Sequence, residues 1–210
     1  MVTVEITTQD GEFLVGLARK AVENYLKTGS ILRLPPNTPV KLRKRCGVFV
    51  TINNLKNGTR VLRGCIGYPY QTTVLTKAVI ECAISSATQD PRFSSVTLLE
   101  LGELVFELSI LTIPELIKTS DPKLLPSKIE VGKDGLIIER GIHKGLLLPQ
   151  VPVEYFWNSK EFLSKTCMKA GLTPDCWLMK GTKIMTFQCV LVREVTPKGT
   201  IELYSSGNLR

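Results

Sequence analysis

Two strand-like runs, Cys46 to Asn53 and Thr59 to Ile66, flank a turn holding Asn57-Gly58, and this hairpin constrains the fold more than any other stretch. Asn followed by Gly tolerates the positive φ angles of a tight turn, so the two runs return antiparallel and adjacent. The second run carries Arg63-Gly64-Cys65-Ile66-Gly67. On a strand, alternation places Val61, Arg63 and Cys65 on one face and Leu62, Gly64 and Ile66 on the other. A guanidinium beside a thiol favours the thiolate, and the bare α-carbons of Gly64 and Gly67 let another backbone or a ligand approach. Two readings of Cys65 stand: a reactive thiol, or a small buried hydrophobe.

Elsewhere helical and strand patterns come in mixed order. Phe13, Leu14, Leu17, Ala18, Ala21, Val22, Tyr25 and Leu26 recur at three and four, which predicts an amphipathic helix over 10–27 ended by Gly29. The stretch 34–39 is proline-rich and must run extended as a connector. A second helix is predicted over 75–86, with Cys82 on its core face and Asp90-Pro91 beyond its end. Alternation predicts a long strand over 104–112, stopped by Pro114. Short strands at 136–139 and 145–148, a third helix at 158–170 closed by Gly171, and a closing strand at 183–195 complete the pattern. Few strand-helix-strand crossovers result, so the class is α+β: a mixed or antiparallel sheet with flanking helices.

With 210 residues the chain suits one large domain or two small lobes. No apolar run approaches the ~20 residues of a transmembrane helix, and Met1 to Asp10 lacks the basic-then-apolar order of a secretion signal. The expectation is a soluble cytoplasmic protein without membrane attachment. Cysteines at 46, 65, 82, 167, 176 and 189 show no zinc-knuckle or thioredoxin-type spacing, and there is one histidine, so no metal site is expected. Most should be reduced thiols; Cys167 and Cys176 bracket a helix end, and spacing leaves their pairing open. The net charge of +8 favours an anionic partner, whether nucleic acid, nucleotide, phosphorylated metabolite or acidic protein. Lys41, Arg43, Lys44 and Arg45 form either a solvated loop or a phosphate-contacting patch, without interleaved aromatics for base stacking.

Leu62-Arg63-Gly64-Cys65-Ile66-Gly67 resembles the signature hexapeptide of the AMME syndrome candidate gene 1 protein family, an AMMECR-type domain of unknown activity. Similar segments follow in the family's order: 90–93, 145–151, Phe162-Leu163, 167–172 and Trp177. They span most of the chain, so the resemblance implies one AMMECR-type domain over 1–210, built as two unequal lobes with a cleft between them. It also implies partners of the Memo type and the radical-SAM type.

A cysteine nucleophile needs a base or a cation, and N–H donors for an oxyanion. Arg63 offers the cation, and Arg92 beside it would make a two-guanidinium site for phosphate or carboxylate. The plainer reading has Asp90 and Pro91 stop a helix while Arg92 pairs with a carboxylate. His143 lies in the glycine-flanked stretch 141–145. It serves as the base in a set with Cys65 and Asp90 or Glu154, as another positive group, or as an exposed residue. Gln150 orients a ligand or is a satisfied buried amide. Phosphate loops, dinucleotide fingerprints, nucleophile elbows and zinc helices are missing, so no cofactor is expected. The expectation is a small enzyme with a cleft centred on Cys65, weakly assisted by His143, binding an anionic substrate through Arg63, Gly64, Gly67, Asp90, Arg92 and Gln150. The alternatives are a non-catalytic module for nucleic acid or protein, and an accessory factor to Memo-type and radical-SAM-type partners.

Overall fold

The computed structural model describes residues 5–207. In chain order its elements begin α1 (Thr8–Thr28), β1 (Gly47–Lys56), β2 (Thr59–Tyr68), α2 (Leu75–Thr88), β3 (Leu104–Leu111) and β4 (Glu115–Leu116). They continue β5 (Gly135–Arg140), β6 (His143–Leu147), α3 (Gln150–Glu154), α4 (Ser159–Lys169), β7 (Lys183–Phe187), β8 (Cys189–Glu194) and β9 (Ile201–Ser205). The class is α+β, as the patterns predict. Contacts divide the chain into two compact units, one running to Leu111 and taking in Val190–Leu203, the other holding Thr112–Cys189 and the residues from Tyr204.

The first unit is built on a five-stranded sheet of order β2-β1-β3-β8-β9, in which β1 pairs antiparallel with both β2 and β3. Asn57 and Gly58 have φ of 51° and 78°, the two positive angles that close the β1–β2 hairpin. Val48, Val50 and Ile52 lie opposite Ile110, Leu108 and Phe106 and form one core with Leu14, Ala18 and Ala21 of α1 and Leu75, Val79 and Ala83 of α2. Thr7 caps α1 reciprocally with Asp10, and Gly29 ends it at φ 70°. A buried ion pair that periodicity did not suggest crosses this core: the Arg19 guanidinium bonds to Glu194 and to the carbonyls of Leu101 and Leu104 at 2.9 and 2.7 Å. Glu194 also accepts the Phe106 N–H at 2.9 Å, so each of these buried charges has several partners.

The second unit holds a four-stranded sheet of order β4-β7-β5-β6, with α4 packed on it through Phe162, Leu163 and Cys167 against Leu136, Ile138 and Ile184. Asn158 and Glu161 make the capping box that starts α4. Cys167 and Cys176 are joined in a disulfide with Cα atoms 6.0 Å apart. The expected single strand over 183–195 is two strands in two sheets. It breaks at Gln188, whose N–H and carbonyl are taken by the side chain and N–H of Thr112, both at 2.8 Å. Periodicity could not register that break, since apolar residues stand on both sides of it. The short α3 and the last strand β9 were also outside the predicted pattern.

Candidate functional site

Cys65 sits on the sheet face opposite the helices of the first unit. The hairpin register sets Thr51 against Cys65 and Phe49 against Gly67, and Thr51 in turn pairs with Glu107 of β3. Cys65, Thr51 and Glu107 therefore form a lateral polar row across three strands, while Val50 and Ile52 point the other way into the core. The Thr51 hydroxyl donates to the Cys65 sulfur at 3.3 Å. Two residues along β3 from Glu107, the Ser109 hydroxyl is buried without a hydrogen-bond partner among the described residues.

Asp90 fixes the backbone of the site. Its carboxylate accepts the Cys65 N–H at 2.8 Å, the Arg92 N–H at 3.1 Å and two guanidinium N–H groups of Arg92 at 2.9 and 2.7 Å. The Asp90 side chain is almost wholly buried and that of Arg92 is half exposed. Hydrogen bonding from Arg92 holds the Asp90 carboxyl far below the usual carboxylate range, against the opposing effect of burial. Arg92 also lies over the Phe93 ring and reaches the Cys65 carbonyl at 3.5 Å.

Arg63 is used differently from the expectation. Pairing steps from Ile52–Gly64 to Asn53–Leu62, so an irregularity falls at Arg63 and interrupts the simple alternation that set it beside Cys65. Its guanidinium bonds to Glu100 at 3.1 Å and to the Ser94 carbonyl at 2.7 Å. The cation that acts on the Cys65 sulfur is Arg92. Gly64 and Gly67 are needed by the chain itself. A Cβ at Gly64 would lie 2.0 Å from the Ser86 carbonyl of α2, and one at Gly67 would lie 2.4 Å from the Phe49 ring.

His143 and Gln150 belong to the second unit. His143 opens β6 opposite Arg140, and its side chain is exposed. Gln150 begins α3, and its Oε1 is buried with no hydrogen-bond partner among the described residues. The hydrogen-bonded cluster thus unites Cys65, Asp90, Arg92 and Thr51, with Glu107 beside Thr51 in the strand register; Thr51 and Glu107 are residues that sequence reasoning missed. Both are polar residues at alternate positions of apolar strands, a signal that becomes a site only once the three-strand register is known.

The AMMECR1 family pattern matches residues 15–192. The chain belongs to the AMMECR1 family. A Pyrococcus abyssi protein of this group is 51% identical over 199 residues, covering 94% of this chain and 96% of its own. Methanocaldococcus jannaschii MJ0810 is 47% identical, covering 93% and 96%. The crystal structure of the uncharacterized protein PH0010 from Pyrococcus horikoshii superposes with a TM-score of 0.91 at 51% identity, covering 95% of this chain and 98% of that one.

In this AMMECR1-family chain the resting chemistry of Cys65 follows from its surroundings. Burial pushes its thiol up; the Thr51 hydroxyl and the Arg92 charge oppose this, and the negative charges of Glu107 and Asp90 reinforce it. Burial thus outweighs the cation beside Cys65, the opposite balance from the thiolate that the Arg63 neighbour suggested. Cys46, Cys82 and Cys189, the other free cysteines, are buried; burial pushes Cys46 to about 11 and Cys82 to about 12. Among the described residues no helix is long and apolar enough to cross a membrane.

Proposed function

We propose that the Cys65 cluster is the working site of a small enzyme, that an anionic substrate docks on the exposed side of Arg92, and that Cys65 meets it as a protonated thiol. The observation that carries this reading is that Cys65 alone among the free cysteines combines partial exposure with a side-chain hydroxyl donor and a neighbouring guanidinium. A thiol of this kind is a proton donor whose conjugate base would be held by the Thr51 hydroxyl and the Arg92 charge.

A second reading has one observation in its favour: the Cys65 N–H and sulfur are both tied into the protein's own hydrogen bonds, as in a packing residue. The same face then serves as a non-catalytic platform for an acidic partner, including the Memo-type and radical-SAM-type proteins that the family resemblance implies. Nucleic acid has less support. Of the basic run, Lys41 is paired with Asp10 and Arg45 with the Thr72 carbonyl.

Paired reagents test the enzyme reading. Negatively charged iodoacetate and neutral iodoacetamide differ in the head group that Arg92 would attract, so the ratio of their rates at Cys65 should exceed the ratio in the unfolded chain. Arg92→Gln should bring the ratio back down, and inorganic phosphate should protect Cys65 from both reagents. Equal ratios in folded and unfolded chains, with no phosphate protection, would remove the anionic-substrate reading and leave the platform.

A further inference from the structure

The segment between α1 and the proline-rich connector borders an open-mouthed cavity that shares no residue with the Cys65 cluster. Leaving α1 after Gly29, the chain brings Ile31, Leu32 and Leu34 over the start of α2, where Val74 and Ile80 form the opposite wall of a space of about 400 Å³. This is within the ~300–1,000 Å³ range of small-molecule sites. The chain beside the cavity is tied down: Thr38 donates its N–H to the Pro35 carbonyl at 3.1 Å, and Leu75 donates its N–H to the Lys44 carbonyl at 2.9 Å. Ile31 is 63% exposed and Leu34 38%, so apolar surface remains for an occupant to cover.

The mouth is charged and its balance is positive. Arg43 and Lys77 line it with one carboxylate, Glu81. Lys77 reaches Glu81 at 3.7 Å from a largely exposed position, and Arg43 makes only a long contact of 3.4 Å to the Pro36 carbonyl. Both cations are therefore held loosely enough to turn toward a ligand. Arg43 is the member of the basic run that points to this cavity.

We propose that this cavity binds a small amphipathic anion, an apolar chain carrying a single carboxylate-type head. The apolar body would lie against Ile31, Leu34, Val74 and Ile80, with the head between Arg43 and Lys77. Five aliphatic walls exclude a sugar or a nucleotide, and the cations at the mouth select against an amine.

The test is methyl-resolved NMR of the full chain titrated with octanoate, octanol and octylammonium. Octanoate should shift the methyls of Ile31, Leu34, Val74 and Ile80 saturably, and octanol should bind about tenfold more weakly for want of the charged head. Ile31→Asp, at an exposed position that the fold does not need, should weaken octanoate about tenfold. The double variant Arg43→Glu and Lys77→Glu should reverse the order, so that octylammonium binds more tightly than octanoate. Equal binding of octanoate and octylammonium by the wild type, shifts confined to other methyls, no saturable shift, or unchanged octanoate affinity in Ile31→Asp would each overturn the proposal.

Discussion

Asp90 is the residue on which the cluster depends, because one buried carboxylate holds both the Cys65 backbone and the Arg92 side chain. Its pKa is depressed on folding, so its ionised form stabilises the native state fully above the unfolded value near ~3.9. That stabilisation is lost as pH falls below ~3.9 toward the still lower folded value. Asp90→Asn is expected to lose about 2 kcal/mol at neutral pH, the scale of a buried charged hydrogen bond. The gap between variant and wild type in denaturant titrations should narrow progressively below about pH 4. A gap constant from pH 7 to pH 2 would show that the charge is not what matters. Removing this negative charge should also lower the Cys65 pKa, since Asp90 is one of the groups raising it.

Among the elements, the hairpin and α2 meet where a side chain cannot fit. The Ser86 carbonyl approaches Gly64 so closely that Gly64→Ala must push helix backbone away from strand backbone, an overpacking expected to destabilise by about 2–3 kcal/mol in chemical denaturation. A neutral outcome would mean that α2 moves freely on the sheet. In the second unit, the bridge between α4 and the turn at Cys176–Leu178 closes a short loop, and Cys167→Ser should lower stability by about 3 kcal/mol. Reductant should lower the wild type by the same amount and leave the variant unchanged. Helices and hairpin were legible in the sequence because period and turn residues act locally: Gly29 and Asn57-Gly58 stand where their chemistry requires. The split at Gln188, the Arg19–Glu194 pair and the disulfide were not legible, since each is fixed by a partner many residues away or by loop geometry.

For the whole molecule, the sequence gathered Cys65, His143, Arg63, Gly64, Gly67, Asp90, Arg92 and Gln150 into one candidate site; hydrogen bonds join Cys65, Asp90 and Arg92, Arg63 turns to Glu100, and His143 and Gln150 belong to the second unit. The sequence did not say which guanidinium would serve the thiol, because an irregular step in strand pairing at Arg63 leaves no trace in composition. Nor did it show Thr51 and Glu107, whose meaning lies in a register across three strands. The net charge of +8 is likewise not concentrated in the basic run, since Lys41, Arg43 and Arg45 each face a different part of the first unit. The proposed chemistry requires a protonated, accessible Cys65 thiol. Alkylation of the native protein across a pH series, resolved cysteine by cysteine by mass spectrometry, tests this most directly. Cys65 should be modified while Cys46, Cys82 and Cys189 stay protected, with a half-maximal rate above the ordinary thiol value of ~8.5 that moves down in Asp90→Asn. A half-maximal rate well below ~8.5, or no modification of Cys65 before unfolding, would contradict it.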